Sequence, residues 1–291
     1  MKLKIFIVVL ALIVAWAAGR SFGSEDRSLV NSVQHDAHGG EHGNEQSEAE
    51  GETVQSEAEG GSSARQINQS FRLADGAQVD VLSISGPVSI EAVDGDTAEV
   101  HITSAAGSAG EMNAHQITVE QTSSSLVVRG KENNGWGFWR WLRGAGEARH
   151  NVTLKLPRRV KLSTRGINGK VSIGEMQGTV QVSGINGRVE IAGATGAAEV
   201  NGVNGGVSLT IRRMSDGRVR VNGINGVVEL RLGNEVNADL NINGLNGSVA
   251  VDAPNVEVQE QKRSKMQARI GTGGAEIKVN GINGGVRLVG I

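Results

Sequence analysis

Three groups of side chains in this 291-residue chain have types and spacings that could do chemistry. The first is His35, Asp36, His38, Glu41 and His42, a set of imidazoles and carboxylates suited to zinc, copper or nickel. It sits in a polar stretch with no element to preorganise it and no outer layer of hydrogen bonds to orient the rings. It therefore reads as linker, and no metal is expected; His35, His38 and His42 are the residual ligand candidates. The second group is an aromatic segment over residues 135–144, containing Trp136, Phe138, Trp139, Arg140 and Trp141 in a chain with no tyrosine and 3% aromatics. It is read either as an apolar cap on a core or as an exposed platform for a membrane interface, a protein partner or a sugar ring. The third is the histidines of the later chain, His101, His115 and His150, each in or beside an alternating strand pattern. They read as outward, solvated residues rather than general bases.

Nothing else suggests turnover. Glu190, Glu199, Asp216, Glu229, Asp239 and Asp252 are scattered singly, without the paired carboxylates of glycoside hydrolysis. No phosphate-binding loop or nucleophile-elbow motif is present, so the sequence reads as non-enzymatic and without cofactors. Gly-x-x-Gly followed by Lys170 or Arg188 matches a nucleic-acid-clamping loop only superficially, since that module needs flanking helices, and no nucleic-acid partner is expected. Lys155, Arg158, Arg159, Lys161 and Arg165 are read as a solvated strand face, with an anionic-surface patch as the alternative. The absence of cysteine excludes disulfides, thiolate chemistry and a lipid-modified cysteine.

The elements that must position these residues follow from the chain's ends inward. Lys2 and Lys4 precede an apolar run over 5–15 and small residues at Ala15-Trp16-Ala17, the pattern of a secretory signal over 1–17, with cleavage as late as 23 as a variant. The run is shorter than a bilayer span, so an uncleaved N-terminal anchor is the second reading. Residues 18–69 form an acidic spacer: from Ser21 to Ala64 ten acids face the single Arg27. Such a composition buries too little apolar surface to offset the entropy of ordering it. The folded domain is placed at 70–291, divided into N-terminal strands over 70–164 and a repeat region over 165–291.

The repeat is the most informative feature. Gly-x-Asn-Gly begins at Gly166, Gly184, Gly202, Gly223, Gly244 and Gly281, with Ile, Val or Leu at x and spacings of 18, 18, 21, 21 and 37 residues. Between motifs run strictly alternating segments such as Lys170-Val171-Ser172-Ile173 and Arg218-Val219-Arg220-Val221, each with one apolar face. Asn-Gly suits a corner where two successive residues take positive φ. The expected fold is all-β, a single-stranded parallel β-solenoid of about 18–21 residues per coil, because coils stacked in register need the same corner each time. Asn168, Asn186, Asn204, Asn225, Asn246 and Asn283 would then stack as a ladder of amides. An antiparallel β-meander or roll with type I′ turns is the alternative. The 37-residue gap reads as two periods, and the final coil, ending at Ile291, reads as uncapped and open to end-to-end self-association.

The serial Gly-Ile-Asn-Gly motifs resemble the bacterial putative-adhesin repeat family, related in style to the head GIN domains. Ser85-Gly86-Pro87-Val88-Ser89-Ile90 looks like that family's opening strand pair, and Val152-Thr153-Leu154-Lys155-Leu156-Pro157 like its lead-in. The resemblance implies a β-solenoid at the cell envelope, periplasmic or on the surface, acting as an adhesion or display module on an envelope or surface component of protein, glycan or lipid. A self-assembling scaffold and a glycan-active enzyme are the alternatives.

Overall fold

The computed structural model describes residues 58–59, 62–106, 112, 115–132, 148–214 and 217–291. The signal segment, the His35–His42 cluster and the aromatic segment 135–144 lie outside the described residues. Strands dominate, each short and alternating. The chain begins with β1 (Ala58–Glu59), β2 (Ser62–Arg72), β3 (Gln78–Leu82), β4 (Val88–Val93), β5 (Thr97–Ala106) and β6 (His115–Thr122). It continues through β7 (Ser125–Glu132), β8 (Arg149–Pro157), β9 (Lys161–Arg165), β10 (Val171–Met176), β11 (Val180–Asn186) and β12 (Val189–Ala194). Then come β13 (Ala198–Asn204), β14 (Val207–Met214), β15 (Arg218–Asn225), β16 (Val228–Val236) and β17 (Ala238–Asn246). The last are β18 (Val249–Asp252), β19 (Val256–Lys262), β20 (Lys265–Ile270), β21 (Ala275–Asn283) and β22 (Val286–Gly290).

These strands form two large mixed sheets of 11 strands each. The first runs β1-β2-β5-β8-β4-β10-β12-β14-β16-β22-β18, the second β19-β20-β17-β21-β15-β13-β11-β9-β3-β7-β6. Through the repeats, successive strands alternate between sheets and pair in parallel with the strand one repeat away. Val171 sits beside Val189, Val189 beside Val207 and Val207 beside Val228. The inward Val, Ile and Leu residues of both sheets belong to one continuous core, while Ser172, Gln181 and Arg220 face outward. Alternation with period two therefore decides each strand, and equal spacing sets the register.

Parallel pairing gives way to antiparallel at the β1 end of the first sheet and at both ends of the second, while the edge strand β18 keeps a parallel partner in β22. β2–β5, β5–β8 and β6–β7 at one end, and β17–β20 and β19–β20 at the other, are antiparallel. The expectation of a purely parallel stack is corrected there. Neighbours such as β6–β7 and β19–β20 are joined by tight turns, and a short turn permits only an antiparallel partner.

Chain order also departs from spatial order. β21 lies between β15 and β17, and β22 lies between β16 and β18, in register on both sides. The 37-residue gap is thus not two successive coils. It carries the chain outward through β18 and the β19–β20 hairpin, then back into a slot one layer inside. The coil read as terminal and open is interior, and the free edge of the first sheet at that end is β18.

Candidate functional site

The corners are built by two glycines and an asparagine with separate tasks. In the motif beginning at Gly223, that residue has φ 64°, Ile224 is buried, and Gly226 has φ 154°. The asparagine between them lies in strand conformation; among the described residues the sole non-glycine with positive φ is Ser83. This corrects the reading of Asn-Gly as a pair of left-handed residues. The glycines on either side of the asparagine carry the unusual conformations, which frees its side chain for contact with the next layer.

Those side chains meet. Asn186 Nδ2 donates to Asn168 Oδ1 at 3.0 Å, Asn204 to Asn186 at 3.2 Å and Asn225 to Asn204 at 3.0 Å. The column then passes to the interior coil: Asn283 donates to Asn225 at 3.0 Å and Asn246 to Asn283 at 3.0 Å. A second column runs beside it. Asn222 donates to Asn201 at 2.8 Å, Asn280 to Asn222 at 2.9 Å and Asn243 to Asn280 at 3.4 Å. Sequence reasoning missed this second column, although the signal was present: four of the six motifs extend to Asn-Gly-x-Asn-Gly. A seventh, degenerate corner is Ser83-Ile84-Ser85-Gly86, where Ser83 at φ 56° takes the first glycine's place and Ser85 bridges to Asn168.

The aromatic segment enters the chain between β7 and β8. These strands flank β3 and β4 in the two sheets, with Leu82 beside Arg129 and Val88 beside Val152. Trp136, Phe138, Trp139, Arg140 and Trp141 themselves lie outside the described residues.

The histidines divide. His101 is half-exposed, with Nδ1 2.9 Å from Asn68 Oδ1 and Nε2 3.3 Å from Glu99 Oε2. Glu99 also meets Lys155 at 2.8 Å. The Lys155 ammonium, and after it His101, hold the Glu99 carboxyl below the usual range, while Glu99 raises the Lys155 ammonium. His150 is buried, at 4% exposure, and its Nδ1 lies 2.8 Å from Ser104 Oγ. Its expected solvent exposure is corrected: β8 is sandwiched between β5 and β4, and His150 packs at the foot of the corner beside Gly86. His115 lies in β6. The five basic residues form no single patch. Lys155, Arg158 and Arg159 pair with Glu99, Asp94 and Asp75, while Lys161 and Arg165 project from the other sheet.

An open groove of about 1260 Å³ lies on the outer face of the first sheet. It crosses β4, β10, β12, β14 and β16 at right angles to the strands. Its floor is one aligned column, Ser89, Ser172, Glu190, Ser208 and Glu229. Glu190 pairs with Lys170 at 2.7 Å, and Glu229 with Arg231 at 3.5 Å and Arg287 at 3.9 Å. Among the described residues no group of three or more His, Asp or Glu side chains is placed to hold a metal ion.

The architecture is that of an all-β protein with two mixed sheets. No family model matches the sequence, and no curated protein matches it. Solved structures similar in part include a "putative cell adhesion protein" from Clostridium sporogenes, 12% identical, covering 78% of this chain and 100% of its own, with a TM-score of 0.39. A "putative adhesin" from Bacteroides fragilis is 12% identical over 77% of this chain and 97% of its own, with a TM-score of 0.36. A "putative lipid binding protein" from Parabacteroides distasonis is 11% identical over 77% and 96%, with a TM-score of 0.24.

Proposed function

We propose that this chain is an exported, non-enzymatic β-solenoid that serves as an adhesion or interaction module at the cell envelope, on its periplasmic or outer side. The observation that carries the reading is the use made of the constant residues. The asparagines that recur in every repeat spend their amides on one another, layer to layer. Recurrent chemistry directed at neighbouring layers builds a persistent surface, and supplies no acid, base or nucleophile to a substrate. The aromatic segment, carried in the chain between β7 and β8, is the module's contact element in this reading, the side-chain types of Trp136, Trp139 and Trp141 suiting an apolar–polar boundary.

Tryptophan emission of the mature protein tests the reading. Once residues 1–17 are removed, Trp136, Trp139 and Trp141 are its only tryptophans. Emission that shifts or becomes protected from quenching on addition of anionic liposomes or isolated cell-wall glycan is the expected outcome. Blue-shifted emission indifferent to both would make the segment a buried cap and remove it from the binding surface.

A further inference from the structure

We infer that the groove across the first sheet binds an uncharged, unbranched glycan lying along the stack, across the strands. The inference rests on the reading of the chain as an interaction module and names a ligand class for a different part of it. The floor column supplies one polar group per strand in the order Ser, Ser, Glu, Ser, Glu. Parallel strands are about 4.8 Å apart, and an extended pyranose chain advances by nearly that distance per ring. Successive sugars thus meet successive rungs, and hydroxyls and carboxylates are both ready partners for sugar hydroxyls.

Three further features favour a sugar over other polymers. Gly174, Ala192 and Gly206 lie beside the column among its longer side chains and leave low places in the floor where a flat ring can approach the sheet. Val227 and Ile291, two of only four strongly exposed large apolar residues among those described, also line it, and suit the C–H faces of a pyranose. Charge balances: Arg188 and Arg212 make no ion pair among the described residues, and neither do Glu91 and Glu175, while the remaining charges of the groove are paired. A polyanion or a phosphate-bearing surface gains no net attraction from such a lining. The exposed ion pairs of Glu190 and Glu229 are weak enough to be exchanged for ligand hydroxyls.

The test is titration of the mature protein with cellohexaose and chitohexaose, with hexagalacturonate as the charged comparison. Saturable binding of at least one neutral hexamer is expected, tenfold or more tighter than hexagalacturonate, and rising with chain length up to about the five rungs of the column. Ser208→Lys, an outward substitution at the centre of the floor whose ammonium would lie between Glu190 and Glu229 and occupy their carboxylates, should weaken binding at least tenfold with the melting temperature unchanged. Should that variant not fold, hydrogen exchange of the unmodified protein should show hexamer-dependent protection in β12, β14 and β16. No saturable binding, tighter binding of hexagalacturonate by the unmodified protein, binding indifferent to Ser208→Lys, or protection elsewhere overturns the inference. Binding of whole cell envelopes, measured in parallel, separates the two ideas: envelope binding that survives Ser208→Lys leaves the module reading standing and removes the groove from it.

Discussion

At the scale of the residue, the two glycines of each corner are under different constraints. A Cβ on Gly226 would stand 2.1 Å from the carbonyl oxygen of Gly205, and one on Gly205 equally close to that of Gly187. The layers are too close there for any side chain. The first glycine is different: a Cβ on Gly223 would meet its nearest neighbour at 3.7 Å, and Ser83 already holds a side chain at the equivalent position. Gly226→Ala is therefore expected to cost about 3 kcal/mol, through backbone displacement and strain. Gly223→Ser should cost about 1 kcal/mol, the ordinary penalty of a left-handed residue. Chemical denaturation of both variants measures the difference, and equal losses would contradict this division of roles. Sequence reasoning found the motif because Gly and Asn are conspicuous in spacing. It misassigned the positive φ, because Asn-Gly has the same composition whether the asparagine turns the chain or joins the next layer.

At the scale of the element, the strands were legible and their order was not. Alternation in Val171-Ser172-Ile173 or Val219-Arg220-Val221 marks a strand with one buried face regardless of its neighbour. In a parallel stack, however, every layer offers a similar column of Val, Ile and Leu, so apolar pattern alone cannot say which layers adjoin. The trace left in the sequence was small. Residues 280–284 repeat the Asn-Gly-Ile-Asn-Gly of 222–226, and the two prove to be adjacent corners. Amide exchange can check the arrangement. β21, paired on both sides, should exchange as slowly as β15, and far more slowly than the edge strands β18 and β19. A β21 that frays like an outer strand would contradict it. The candidate groove was not legible either, since its floor combines single residues from five strands.

At the scale of the whole molecule, charge sits on outward faces and contributes a pH dependence. Lys155 and then His101 depress Glu99; Lys262 and Lys265 depress Glu260; Lys278 chiefly depresses Glu276, with Arg218 and Arg220 adding to it. Carboxyls lowered by folding stabilise the folded state above their unfolded values, and that contribution is lost as pH falls through the folded ones. Melting temperature should hold near neutrality and decline from about pH 5 downward. Replacing Glu99, Glu260 and Glu276 together by Gln should make the acid decline shallower. An acid limb unchanged in that variant would place the cause elsewhere. The effect is modest because all three groups are substantially exposed and screened by salt.

The interior position of β21 and β22 also sets a timetable. A chain emerging from its N-terminus can make β15, β16, β17 and β18 early, yet β15 and β17 lack the partner that joins them until residues 275–290 arrive. Among the strands of these two sheets, the keystone is delivered last. Synthesis of the neighbouring layers and their locking are thereby kept apart in time, so the chain on either side of the slot stays pliable until β21 and β22 are made.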